Sequence, residues 1–195
     1  MDVAYINPFL IASQEVFQKM VKLDLSLNKP YLRRASETNT AVNSVIQLAG
    51  AVCGMVVLRF SQPVALAAAA GLSGEAHAGL TEDCLDALGE ITNMIVGSAK
   101  KLLPADHPLD MSTPKTMVGS TDLVYPPHQP FLVIPCETPR GRFVIEVGLR
   151  KLREGEPVPV LEKDPPNTTP AAPTAKPAAQ AKNSPADKKS EKKAA

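Results

Sequence analysis

The sequence predicts an α+β domain in which helices pack on one face of a mainly antiparallel sheet. Three features of the 195-residue chain lead to this fold class. Segments typical of helices and of strands follow one another in mixed order, without the strict alternation of a parallel α/β protein. Residues 81–103 combine apolar side chains at helical spacing with start and stop signals. Residues 141–150 alternate between apolar and more polar side chains, as expected for a strand with one wetter face.

The first predicted element is a helix over residues 7–22. Asn7 is a good N-cap, and Pro8 suits the first helical position, where a backbone N–H is not needed. The expected apolar face consists of Ile11, Val16, Phe17, Met20 and Val21. Residues 31–36 are a weaker candidate for a short strand, because two arginines lie among them.

A pair of strands is predicted over residues 41–60, with Gly50 marking the turn or bulge between them. The second half of this segment is rich in valine and methionine, as a buried strand would be. Ser61 is the expected cap of an alanine-rich helix over residues 62–72. Two glycines are expected to close this helix, Gly71 and Gly74.

The most strongly marked element is a helix over residues 81–103. Thr81 is the expected N-cap, and Glu82 and Asp83 follow in the first turn, where the helix dipole favours acidic groups. Lysines occupy the last turn, and Pro104 stops the helix. Three further strands are predicted, at residues 109–119, 129–138 and 141–150, the last two joined by the turn signal Thr138-Pro139-Arg140-Gly141.

The composition changes near residue 153. From there on proline, alanine, lysine, threonine and serine dominate, and no aromatic residue occurs. Such a segment cannot bury enough apolar area to offset the entropy of ordering it. The sequence therefore predicts a folded domain over residues 1–152 and a disordered Pro/Ala/Lys-rich tail over residues 153–195.

Composition and charge exclude several classes of function. Residues 1–150 carry 12 Lys+Arg and 14 Asp+Glu, so the predicted domain has no basic field suited to nucleic acid. The longest apolar-rich stretch is too short to span a bilayer, and the N-terminus lacks the features of a secretory signal. The histidines and cysteines show no metal-binding spacing, so we expect buried reduced thiols in a cytoplasmic protein. The cysteines are Cys53, Cys84 and Cys136.

A helical projection separates the predicted helix 81–103 into two faces. The core face is expected to contain Leu85, Leu88, Thr92, Ile95, Ala99 and Leu102. The outer face contains Asp86, Glu90, Asn93, Gly97 and Lys101. Glu90 and Asn93 are three residues apart, which makes their side chains neighbours. An acid and an amide at this spacing are also common on ordinary surface helices, so the projection alone leaves a solvated face as the alternative.

The residues of this helix carry a family resemblance. The run Leu88-Gly89-Glu90-Ile91-Thr92-Asn93-Met94-Ile95-Val96-Gly97-Ser98-Ala99-Lys100 resembles the signature of the CheC/CheX/FliY phosphatases, E-x-x-N followed by M-x-x-G-x-A-K or close variants. The beginning, Met1 to Phe9, and the strand-like close, Phe143 to Leu149, are similar to those of CheX-like chains. The resemblance covers about residues 1–150. One E-x-x-N fits the single-site CheX type better than CheC, because the first helix has only Glu15-Val16-Phe17-Gln18 in place of a second motif.

The resemblance implies a phosphatase that acts on the aspartyl phosphate of a CheY-like response regulator in two-component signalling or chemotaxis. It implies that Asn93 orients the attacking water and that Glu90 pairs with a lysine of the receiver, with Asp86, Gly97 and Lys101 on the same partner-binding face. No cofactor of the chain's own is expected, since the regulator supplies Mg²⁺. A homodimer formed by sheet extension is also implied.

Two other interpretations stay open from the sequence. The same face could recognise a receiver without hydrolysing its phosphate. Alternatively, the chain could be a scaffold whose tail is the functional part, with Glu90 and Asn93 as ordinary surface residues. Lysines near the end of the tail could touch an anionic surface, but a solubilising tail or a tether is the favoured interpretation of this segment.

Overall fold

An antiparallel sheet of eight strands carries three helices on one face in the computed structural model, which describes residues 5–34, 40–103, 109–119, 123–126, 128–153 and 155–161. The helices are α1 (Asn7–Val16, continued by a π-helical turn over Phe17–Val21), α2 (Gln62–Ser73) and α3 (Glu82–Leu102). The strands are β1 (Ser26–Leu27), β2 (Tyr31–Leu32), β3 (Val42–Gly50), β4 (Val52–Phe60), β5 (Leu109–Met111), β6 (Lys115–Val118), β7 (Leu132–Thr138) and β8 (Gly141–Lys151). The predicted α+β class with a mainly antiparallel sheet is therefore confirmed.

The strands lie in the order β1-β7-β8-β4-β3-β5, with β2 also pairing β7 and β6 also pairing β3. The long strands β3, β4 and β8 form the centre, where Val56 of β4 lies opposite Val147 of β8 and both are fully buried. One large apolar cluster joins this face of the sheet to all three helices. Stacked rings help to connect the layers, with Phe143 of β8 lying 5.0 Å from Phe17 and 5.2 Å from Phe60 between ring centroids.

The first helix differs from its prediction at both ends. The residue before it, Ile6, occupies the cap position without a side-chain hydrogen bond, so Asn7 is not the N-cap. Ile11 and Met20, predicted for the core face, are 47% and 45% exposed. Val16, Phe17 and Val21 are buried as predicted, and the buried stripe of α1 also includes Phe9 and Ala12. The wider π-helical turn changes the angular step that the prediction assumed for Met20.

Gly71 does not end α2, which continues to Ser73 and has Gly74 in the left-handed conformation at its C-cap. A Cβ at position 71 would lie 1.9 Å from the carbonyl oxygen of Val21, so this glycine allows the end of the first helix to approach α2. The predicted cap Ser61 is at the correct position but makes no side-chain capping bond.

The predicted strand 109–119 is broken into β5 and β6. Between them, the backbone N–H of Ser112 still donates to the Gln47 carbonyl oxygen at 2.9 Å, but the Gln47 N–H donates to Ser112 Oγ at 3.0 Å. Pro114 follows and has no backbone N–H to offer. Both pieces pair with β3, so the interruption leaves them on the same edge of the sheet.

The face of the sheet opposite the helices is not the wetter face that the alternation in β8 predicted. Glu146 is fully buried there, and its carboxylate lies 3.0 Å from Arg59 Nε and 3.4 Å from Arg33 Nε. Tyr125 donates its hydroxyl to the same carboxylate and accepts from Arg59 at 2.7 Å. Phe131 packs with Met55 and Val57 beside this polar cluster. Tyr125 and Phe131 thus help to cover a charged side chain that the pattern places in water.

The described structure continues past the predicted domain boundary at residue 152. The guanidinium of Arg150 donates two hydrogen bonds to the carboxylate of Glu156, one of them from Nη1 at 2.8 Å. These bonds lower the pKa of Glu156 to about 2. The contacts of the chain divide it into two units, Met1–Asp164 and Pro165–Ala195. Most of the predicted tail, residues 162–195, lies outside the described residues.

Candidate functional site

Helix α3 positions the candidate site, and the sequence signals at its start are confirmed. Thr81 is the N-cap, and its Oγ1 accepts a hydrogen bond from the backbone N–H of Cys84 at 3.4 Å. The buried face contains Cys84, Leu88, Gly89, Ile91, Thr92, Ile95, Val96 and Ala99. Leu102, predicted for this face, is instead 48% exposed at the end of the helix. The apolar face anchors α3 against α1, α2, β3 and β6.

Gly89 determines how closely α3 sits on the edge of the sheet. A Cβ at this position would lie 3.3 Å from Thr116 Oγ1 and 3.5 Å from Pro114 Cγ. Thr116 is in turn held to β3 by a 3.2 Å hydrogen bond to Ser44 Oγ. The helix therefore rests on β6 at the residue directly before Glu90. The sequence did not predict this contact between α3 and β6, because it joins residues far apart in the chain.

Glu90 and Asn93 lie together on the opposite, outward face of α3. Glu90 is exposed and Asn93 is half-buried, and the Nδ2 of Asn93 lies 3.5 Å from Oε2 of Glu90. This distance is at the long limit of a hydrogen bond, so the contact is weak. The pair therefore presents one carboxylate and one amide that a partner could engage without breaking a strong internal bond.

The remaining predicted partner-binding residues lie on the same face. Asp86 and Lys101 are exposed and Gly97 is half-buried. Acidic groups occupy the N-terminal half of this face and lysines occupy its C-terminal end. A partner that lies along α3 would meet a negative region at Asp86 and Glu90 and a positive region at Lys101.

The first helix does not repeat this arrangement. Glu15 and Gln18 lie at the spacing of an acid and an amide, but the carboxylate of Glu15 pairs with Lys19 at 3.5 Å. Both members of that pair are exposed. The candidate site is therefore built on α3 alone.

The cysteines offer no nucleophile to the site. Cys53, Cys84 and Cys136 are free and buried, as predicted, and burial raises the pKa of each thiol. A thiol of raised pKa is mostly protonated at neutral pH and is a poor nucleophile. Within the described ranges, no group of three or more His, Cys, Asp or Glu side chains could hold a metal ion. No helix in the described part of the chain is long and apolar enough to cross a membrane.

Comparison with known proteins adds independent findings. Residues 42–137 match the family model described as Chemotaxis phosphatase CheX, and this range includes all of α3. The chain is 29% identical over 125 residues to the CheY-P phosphatase CheX of Thermotoga maritima, covering 63% of this chain and 80% of that protein.

Two solved structures show the same fold. The chemotaxis protein CheX from Vibrio vulnificus has a TM-score of 0.69 and 29% identity, covering 75% of this chain and 99% of that one. A CheC-like superfamily protein from Shewanella sp. PV-4 has a TM-score of 0.70 and 27% identity, covering 77% and 99%. The helices on one face and the antiparallel sheet are therefore shared with chains of the CheC-like group.

Proposed function

Because the chain is CheX-like in sequence and fold, we propose that it is a phosphatase that hydrolyses the aspartyl phosphate of a CheY-like response regulator. The observation that carries this proposal is the outward pair Glu90 and Asn93 on α3, with the two side chains in contact at 3.5 Å. The relative from Thermotoga maritima is named a CheY-P phosphatase. We assign the same chemistry in this chain to the pair Glu90 and Asn93.

The chemistry requires little from the phosphatase beyond position. An aspartyl phosphate is a reactive acyl phosphate, and phosphoryl transfer is promoted mainly by orientation and by cations on the phosphoryl oxygens. We assign the Mg²⁺ to the response regulator and the placement of water to this chain. The reaction then consists of attack by a water oxygen on phosphorus, cleavage of the bond to the aspartate oxygen, and release of inorganic phosphate.

Asn93 is the group that we assign to the attacking water. An amide can donate through its nitrogen and accept through its oxygen without carrying charge. With Nδ2 turned toward Glu90, the amide oxygen is left to accept a hydrogen bond from the water and to hold the water oxygen in line with the leaving oxygen. Asn93 is also half-buried, so its side chain has less freedom to reorient than a fully exposed one.

Glu90 is the group that we assign to docking. It is exposed and lies beside Asn93, so a cation of the receiver that pairs with Glu90 would be held next to the attacking water. Asp86 and Lys101 extend the contact along α3. The proposal also keeps the prediction of a cytoplasmic protein, with which three unpaired cysteines are in keeping.

The test is a time course of receiver dephosphorylation. We predict that Asn93→Ala lowers the rate by about 100-fold or more, because misplaced water at the reacting centre costs about that factor. Circular dichroism and the melting temperature should stay unchanged, since Asn93 lies on the outer face. A variant that hydrolyses at the wild-type rate would contradict the mechanism. A wild-type chain that binds the activated receiver but leaves its phosphate intact would instead identify a non-catalytic binding module.

A further inference from the structure

Glycine is unfavourable inside a helix, and α3 contains two glycines in its interior, Gly89 and Gly97. A glycine is explained where the backbone needs a positive φ or where a Cβ would collide with a neighbour. Neither residue is among those of positive φ. Conformation therefore explains neither glycine, and the explanation must come from packing.

Packing explains Gly89 within the chain itself. Its missing Cβ leaves room for Thr116 Oγ1 and Pro114 Cγ, at 3.3 and 3.5 Å from where that atom would lie. Gly71 of α2 has the same kind of explanation, with the Val21 carbonyl oxygen at 1.9 Å. At both positions the glycine admits a neighbouring part of the same chain.

Gly97 has no such neighbour. A Cβ at this position would meet no heavy atom of the described residues within 4 Å. Alanine would fit there and would favour the helix. Glycine at position 97 thus lowers the stability of α3, and no contact within the described part of the chain compensates for that loss.

The position of Gly97 indicates what compensates for it. The residue lies one helical turn from Asn93 and one turn from Lys101, in the middle of the face that carries the proposed water-orienting and docking groups. A glycine on a surface helix permits close approach of another backbone. We infer that Gly97 is a docking residue that gives the backbone of the receiver room to pack closely against α3. This inference rests on the proposed function.

The clearance has a consequence for the reaction. Asn93 can reach the phosphoryl group only if the receiver comes close to the axis of α3 on that side. A methyl group at position 97 would hold the receiver away or tilt it, so Asn93 would address the phosphorus from a longer distance. Gly97 therefore acts through docking distance, without touching the reacting atoms.

The experiment compares stability with activity in the full chain. We predict that Gly97→Ala raises Tm by about 2–4 °C, because alanine is the better helix former. The same variant should lower kcat/KM toward a phosphorylated receiver at least about fivefold, mainly through KM, since overpacking a close contact is costly. Gly97→Leu should lower it further while the chain still folds. The opposite signs of the two effects separate a partner contact from a purely structural role.

Ser98→Ala is the matched control, because it also replaces a poorer helix former with alanine on α3 but lies about 100° around the helix from the centre of the outer face. It should leave kcat/KM within about twofold of wild type, because a surface substitution outside the proposed contact usually has an effect of this size or less. A Gly97→Ala variant with wild-type kcat/KM, or with a lowered Tm, would overturn the inference. Asn93→Ala distinguishes the two failures. If Asn93→Ala is inactive while Gly97→Ala is fully active, the inference about Gly97 is wrong and the proposed phosphatase function is retained. An active Asn93→Ala variant instead contradicts the proposed function itself.

Discussion

Glu90 and Asn93 offer different chemistry although they lie on one turn of α3. The amide is neutral and half-buried, and it acts by orienting a bond. The carboxylate is charged and exposed, and it acts through attraction to a partner cation. Their substitution should therefore affect different steps, binding for Glu90 and the chemical step for Asn93.

We predict that Glu90→Gln weakens binding to a beryllofluoride-activated receiver by up to about fivefold, the range of an exposed ion pair, and lowers turnover as well. The difference from wild type should shrink as salt is raised, since salt screens exposed charges over about 10 Å at 0.1 M and about 3 Å at 1 M. Titrations at both ionic strengths measure this. Glu75→Gln, an exposed carboxylate outside α3, is the control. Equal affinities of wild type and Glu90→Gln at low salt would rule out the docking role.

At the scale of the secondary structure elements, the two faces of the sheet depend on different interactions. The helix-bearing face is held by aliphatic and aromatic packing. The other face contains the carboxylate of Glu146 with two arginines and the Tyr125 hydroxyl, and the Arg33 guanidinium lies 3.8 Å from the centroid of the Tyr125 ring. These residues come from β4, β8, the segment after β2 and residues 123–126, so one carboxylate joins four pieces of chain.

We predict that Glu146→Gln lowers the free energy of unfolding by about 3–5 kcal/mol, because removing one member of a buried ion pair leaves the arginines uncompensated. Urea denaturation measures this. Glu137→Gln is the matched control, since Glu137 also pairs with an arginine, Arg142 at 2.9 Å, but both side chains are exposed. That variant should lose no more than about 1 kcal/mol. Similar losses in the two variants would show that the Glu146 cluster is not what holds this face.

At the scale of the whole molecule, the free edges of the sheet determine how two copies could associate. Of the predicted strands 109–119, 129–138 and 141–150, the last two are interior as β7 and β8, whereas the first lies at an edge of the described sheet as β5 and β6. Val118 of β6 is 53% exposed there. Strand edges with backbone groups available for pairing favour addition of another strand, and a two-fold contact closes on itself.

We predict a homodimer formed at the β6 edge, with a buried area of about 1,200–2,000 Å² in total, the size of a specific interface. Light scattering on the full chain and on residues 1–161 should give a dimer for both. Val118→Lys should shift the equilibrium toward monomer, because a charge guards a sheet edge. A monomer in both chains at micromolar concentration would exclude the dimer. A monomer only in the full chain would indicate that the tail covers the edge.

The sequence determined α3 and the groups on its outer face most completely. Its cap and the neighbouring positions of Glu90 and Asn93 depend on residues close together in the chain and lie where the sequence predicts them. Its amphipathic spacing is confirmed except at Leu102, which is exposed. The strands of residues 41–60 were predicted for the same reason. Their order of apolar and turn residues is local information that a single chain carries.

Only the tertiary structure decided what each face meets. The alternating pattern predicts that Glu146 faces water, but its carboxylate is buried, accepts a hydrogen bond from Tyr125 and pairs with Arg33 and Arg59 from distant segments. The sequence predicts Gly71 as a helix end, but in the structure its missing side chain allows close approach of the Val21 carbonyl. Gly89 and Gly97 are both glycines inside α3, yet the space beside Gly89 is occupied by Thr116 of β6, whereas no described residue lies beside Gly97. Burial and contact depend on which remote segments pack together, and the local periodicity of the sequence does not specify which segments those are.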